Sequence, residues 1–270
     1  MSEDTTSSRG AAWLAALTHG APLASGHPAS LQVADATLAG EPARYLAVVP
    51  DPDNRFPRAR HGEVGLIEGW ALAQAVHQVI DADRKAMKKR PIVAVIDVSS
   101  QAYGRREEAF GIHEALAGAA GAYAQARQAG HPVIGLIVGK AMSGAFLAHG
   151  YQANRLIALN DAGVMVHAMG KAAAARVTLR SVDELERLAA QVPPMAYDIA
   201  SYASLGLLWK LLDVGSAERP GEADLAAVRR VLAAALDDIR SDPASDLGGR
   251  LGGENRQASS RVREKLRAQW

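Results

Sequence analysis

The sequence predicts an α/β fold with parallel strands, and three observations carry that prediction. Two near-continuous apolar runs, residues 91–97 and 132–138, are each closed by a turn of small residues, at 99–104 and 139–144. Runs and turns keep one offset of 41 residues, which aligns Pro91 with Pro132 and Tyr103 with Gly144. An Ala-rich stretch, 107–130, fits between them at helical spacing and stops at Gly130. Strand, turn and helix repeated in this order imply parallel neighbours, because a parallel pair needs a long crossover.

Along the chain, residues 1–10 read as a disordered tail, 11–240 as one domain and 241–270 as a flexible Gly-, Ser- and charge-rich tail. Within that last stretch a short helix could dock on a partner through Leu266 and Trp270. Leu31-Gln32-Val33 and residues 45–49 are β-rich and separated by Ala-Gly-Glu-Pro, so two strands are expected there. A Pro-, Asp- and Arg-rich loop at 51–62 leads into a helix over 66–89, with Leu66, Trp70, Ala73, Val76, His77 and Ile80 on or near one side. After the second turn come a short helix at 145–150, a strand at 155–159 and another at 164–166. Residues 181–240 read as helical throughout, opened by a Ser181/Glu184 capping box and interrupted at Pro193-Pro194.

Composition removes several function classes. Apolar residues are 49% and charged residues 22%, and the net charge is +1, so no concentrated basic face for nucleic acid is expected. With no cysteine there is no disulfide, thiolate nucleophile or Cys-based zinc site. The eight histidines have no metal-ligand spacing, so no metal is expected. No apolar run of signal-peptide or membrane-spanning type occurs, and the reading is a cytoplasmic protein without a membrane partner. The turn at 139–144 is not a P-loop, since no Gly-Lys-Ser/Thr closes it.

Strand-to-helix turns in a parallel sheet aim backbone N–H groups at negative charge. Two such turns at one sheet edge suit stabilisation of an oxyanion or enolate. At these turns the sequence also becomes recognisable. The stretch 96–103 (Ile-Asp-Val-Ser-Ser-Gln-Ala-Tyr) with Glu107-Glu108, and the stretch 139–146 (Gly-Lys-Ala-Met-Ser-Gly-Ala-Phe), resemble acyl-CoA carboxyltransferases. Over roughly residues 60–215 the chain is most similar to the gamma subunits of biotin-independent malonate decarboxylases. Lys140, Ala141 and Met142 depart from the more Gly-rich carboxyltransferase pattern, which tightens the second pocket against biotin.

The resemblance implies a crotonase-like (ClpP/crotonase) ββα spiral core with a helical C-terminal region. It implies a beta-type partner subunit, an acyl-carrier protein, an acyl transferase subunit, and decarboxylation of a malonyl thioester through an enolate. No cofactor is expected on this chain itself, the substrate riding on a coenzyme A-like prosthetic group of the carrier. Candidate backbone donors are Met142, Ser143 and Gly144 at one turn and Gln101, Ala102 and Tyr103 at the other. His167 is the candidate acid–base or positioning group. Two alternative enzymes are an acyl-CoA carboxyltransferase alpha subunit and a Clp-type serine hydrolase. The second rests on Ser143 with His167, because residues 164–167 resemble the histidine strand of those proteases; Asp213 is the nearest thought for a third member. A non-catalytic scaffold is the reading from another class. His113 is expected to be structural, and Lys140 is as compatible with a plain surface lysine as with an anion contact.

Overall fold

A computed structural model describes residues 8–242, 244 and 246–270. Residues 1–7 of the expected N-terminal tail, with Pro243 and Ser245, lie outside the described residues. The helices are α1 Arg9–Leu17, α2 Leu66–Ala82, α3 Arg105–Ala109, α4 Ile112–Gln128, α5 Ser143–Ala148, α6 Lys171–Thr178, α7 Val182–Ala189, α8 Ile199–Ser204, α9 Glu222–Ser241 and α10 Gln257–Arg267. The strands are β1 Leu31–Leu38, β2 Glu41–Val48, β3 Ile92–Val98, β4 Val133–Met142, β5 Arg155–Leu159, β6 Met165–His167 and β7 Lys210–Leu212.

Their order in the sheet is β1-β2-β3-β4-β5-β7, with β6 pairing the far end of β4. Strands β1 and β2 form an antiparallel hairpin, and every later pairing is parallel. The hairpin turns at Ala39 (φ 50°) and Gly40 (φ 80°), the left-handed pair that a two-residue loop demands. Ile92 to Ile96 of β3 are fully buried on both faces, which is why that run carries no alternation. The pairs that cover the sheet are α2 with α4, and α1 with α9. Gly69 sets the first of these crossings, because a Cβ there would lie 2.7 Å from the Ala115 carbonyl oxygen.

The offset of 41 seen in the sequence is the pairing register itself: Ile92 faces Val133, and Ile96 faces Ile137. It does not persist. Val98 faces Ala141, so β4 accommodates two extra residues and the offset becomes 43. Asp97 closes the irregularity by accepting the Lys140 N–H at 3.0 Å. Gly139 makes room, since a Cβ on it would sit on the Asp97 carboxylate.

Several expectations need correction. Residues 181–240 are not helical throughout, because Lys210–Leu212 add a parallel edge strand to β5. A three-residue strand has too little pattern to stand out beside helical neighbours. The helix expected over 66–89 ends at Ala82, and the one over 107–130 is split by Gly111 at φ 79°. Helix α1 begins at Arg9, inside the segment read as tail. Arg9 pairs with Asp161 and Glu218, and the Trp13 indole N–H donates to Ala217 at 2.7 Å. Residues 241–270 carry α10 and a buried Arg250, whose guanidinium donates to the Tyr151 and Ala153 carbonyls. Leu266 and Trp270 are exposed. Among the described residues no helix is long and apolar enough to cross a membrane.

One core group predicts a pH response. His149 is fully buried, sharing a hydrogen bond with Tyr123 and donating to the Val95 carbonyl, and burial pushes its pKa down to about 4. Burial also lowers His27, His131 and His167. Between pH 6.5 and 4 the unfolded chain therefore binds protons that the folded chain refuses. The stability is complete above 6.5 and drains away as pH falls, by roughly 3 kcal/mol for His149. Urea midpoints measured from pH 7 to 4.5 should decline steadily, and a flat series would contradict the burial of these rings as neutral groups.

Candidate functional site

The second turn is built where β4 ends and α5 begins. Met142 is the last strand residue, at φ −111°, and β6 sets His167 directly beside it in register. Ser143 then takes φ 58°, a left-handed value unusual for a residue with a Cβ, and this reverses the chain into α5. The N–H groups of Ser143 and Gly144, in the first turn of that helix, have no intrahelical acceptor. A cavity of about 330 Å³ opens here, lined by Ser143, Gly144, Phe146, His167, Tyr202 and Leu207 among others.

The hydroxyl of Ser143 donates to the Ala168 carbonyl at 2.7 Å. His167 turns its Nδ1 to the Met169 backbone, at 2.8 Å from the carbonyl oxygen and 3.1 Å from the N–H. Its ring stacks on Tyr197 with centroids 3.9 Å apart and planes at 15°, and the Lys171 ammonium lies 5.5 Å from the other ring. Burial holds the imidazole below its ordinary pKa, so it is neutral at pH 7. Ser143 and His167 line one cavity, but not as a nucleophile and its base. Serine is spent on a backbone carbonyl, and the histidine is oriented by backbone rather than by a carboxylate. Asp213 instead accepts from Asn160. The serine-hydrolase reading therefore lacks its relay.

The first turn is more self-satisfied than the sequence suggests. The Ala102 N–H goes to the Val64 carbonyl and the Tyr103 N–H to the Gln101 carbonyl, both at 2.8 Å. Neither is available to a ligand in this geometry. The Tyr103 side chain is exposed, and its hydroxyl is paired with Glu108, which raises its pKa. Gln101 reaches the second turn through its side chain, with Oε1 accepting the Gly144 N–H at 2.5 Å. The offset of 43 explains this contact: it places Gln101, and not Tyr103, opposite Gly144.

Sequence reasoning missed two tyrosines at this site. The hydroxyls of Tyr197 and Tyr202 are buried without a hydrogen-bond partner among the described residues. Tyr202 lies on α8 and lines the cavity with Ser143, and burial pushes its pKa up. No motif marks either residue; only the packing of the C-terminal helices against β6 brings them in. The side chains of His113 and Lys140 are exposed, outside the cavity. Among the described residues no group of three or more His, Asp or Glu is arranged to hold a metal ion.

Residues 59–270 match the family model described as malonate decarboxylase gamma subunit. A Pseudomonas malonate decarboxylase hetero-tetramer solved in complex with coenzyme A contains a chain 70% identical to this one. The match covers 97% of this chain and 100% of that chain, with a TM-score of 0.93. The malonyl-S-ACP:biotin-protein carboxyltransferase MADD of Malonomonas rubra is 34% identical over 206 residues, 74% of this chain and 70% of its own. Transcarboxylase 12S shares the fold at 21% identity and a TM-score of 0.60, across 80% of this chain and 38% of its own. The crotonase-like fold expected from the sequence is the fold observed.

Proposed function

The chain belongs to the malonate decarboxylase gamma-subunit family, and from that premise we propose that it forms, with a beta-type subunit, an active site that decarboxylates a malonyl thioester. The substrate is presented on the coenzyme A-like arm of an acyl-carrier protein, charged by an acyl transferase subunit, in the cytoplasm. The observation that carries this reading is the strand-to-helix turn at Met142, Ser143 and Gly144, which opens a mostly apolar cavity beside a neutral histidine.

The chemistry asks little of the protein. The bond between the carboxylate carbon and Cα breaks, carbon dioxide leaves, and the electron pair becomes a thioester enolate. Protonation at Cα then gives the acetyl thioester. The rate is governed by N–H donors aimed at the enolate oxygen and by exclusion of water, each donor being worth about 3 kcal/mol. The backbone N–H groups of Ala102 and Tyr103 are internally committed and the Gly144 N–H is held by Gln101 Oε1, which shifts the weight to the Ser143 N–H and the side chain of Gln101. A neutral His167, held by the Met169 backbone and Tyr197, is suited to relay the proton.

Exposed apolar side chains support a shared site. Tyr103, Phe110 and Leu147 are each more than half exposed, on the first turn, between α3 and α4, and on α5, and α4 packs against α5. The purified single chain is expected to be inactive, with malonyl-thioester turnover emerging only on mixing with the beta-type subunit. Robust turnover by the chain alone would refute the shared site. The likeness to a carboxyltransferase favours a second reading, transfer of the carboxyl group to a biotin protein. Release of carbon dioxide at full rate with no biotin present decides against it.

A further inference from the structure

We propose that the side-chain carboxamide of Gln101 is itself a donor to the substrate, its NH2 group replacing the Gly144 N–H that it occupies. The proposal rests on the decarboxylase reading and adds a substrate-contacting group to it.

The Gly144 N–H meets the carboxamide at 2.5 Å, and only the oxygen end of an amide can accept it. This contact fixes which way the amide points. Its Nε2 group makes no hydrogen bond among the described residues. An amide with a committed oxygen and a free NH2 is a donor moved outward by one group. Accepting a hydrogen bond at Oε1 polarises the amide and strengthens donation from Nε2. The bare Cα of Gly144 permits the approach, since a Cβ there would lie 2.7 Å from the Gln101 oxygen. Gln101 is placed by two independent devices, its bridge to Val64 and the two-residue register change between β3 and β4. The acceptor that fits such a donor is an oxygen gaining negative charge, the thioester oxygen of the enolate or the departing carboxylate.

Gln101→Glu is the informative variant. A carboxylate still accepts the Gly144 N–H, so the turn is retained, while the outward NH2 becomes an acceptor. In the assembled complex at neutral pH, kcat is expected to fall at least 100-fold. As pH drops into the carboxyl range, the protonated side chain again offers an outward donor, so kcat should recover relative to wild type. Gln101→Ala, which frees the Gly144 N–H, should lose kcat by 10-fold or more at any pH. Wild-type kcat in either variant at neutral pH, or increased kcat in Gln101→Ala, would overturn the proposal. So would a loss in Gln101→Glu that shows no pH recovery while gel filtration shows the complex intact. A wild-type complex without decarboxylation is a different failure, that of the decarboxylase reading, and the wild-type assay exposes it first.

Discussion

Gly144→Val is expected to reduce decarboxylation by about 100-fold to 1,000-fold, the range for removing one oxyanion donor, while the complex still assembles. The added side chain would meet the Gln101 carboxamide, a flexible tip, rather than backbone. Folding is therefore little disturbed, whereas the Gln101 amide bound to the Gly144 N–H is displaced. Ser143→Ala provides the contrast. It removes a hydrogen bond to the Ala168 carbonyl, roughly 1 kcal/mol or several-fold in rate. Assays of both variants on a malonyl thioester, with a fluorophosphonate probe on the wild type, separate the readings. Stoichiometric labelling of Ser143, lost in His167→Ala, would restore the hydrolase.

Trp13→Ala should be the most destabilising single change, at about 3–5 kcal/mol. The indole is fully buried and its N–H is the donor that ties α1 to Ala217. Truncation leaves a large cavity and an unpartnered carbonyl. Chemical denaturation of the isolated chain measures the loss. A cost under 1 kcal/mol would mean that α1 contributes little to the fold.

The parts of the fold legible in sequence are those with long patterns. The buried runs of β3 and β4 and the Ala-rich helix between them announced a parallel core, and their spacing even gave the strand register. Elements that depend on distant partners were hidden. Strand β7 exists because β5 offers it an edge, and α1 because Ala217 and Glu218 return to meet it. At the site, the resemblance and the turn composition pointed to Ser143, Gly144 and His167. The same constant spacing misled at the first turn, by pairing Tyr103 with Gly144. Two residues bulged out of β4 exchange Tyr103 for Gln101, and no periodicity records a bulge closed by Asp97. Tyr202 was missed for a similar reason, because a tyrosine on a short helix carries no signal until tertiary packing buries its hydroxyl.

Helix α1 has a consequence for how the chain is made. Its tethers lie 152 residues away at Asp161, 204 at Ala217 and 209 at Glu218. Contacts of such separation carry a large loop-closure entropy and place the fold among slow-folding topologies. On a ribosome adding about 5–20 residues per second, the first helix emerges ten seconds or more before residues 217 and 218 exist to receive it. During that interval the Trp13 indole N–H lacks its acceptor, although β2, β3 and β4, against which α1 also packs, are made before it ends. The tethers to Ala217 and Glu218 can therefore close only in the last quarter of translation.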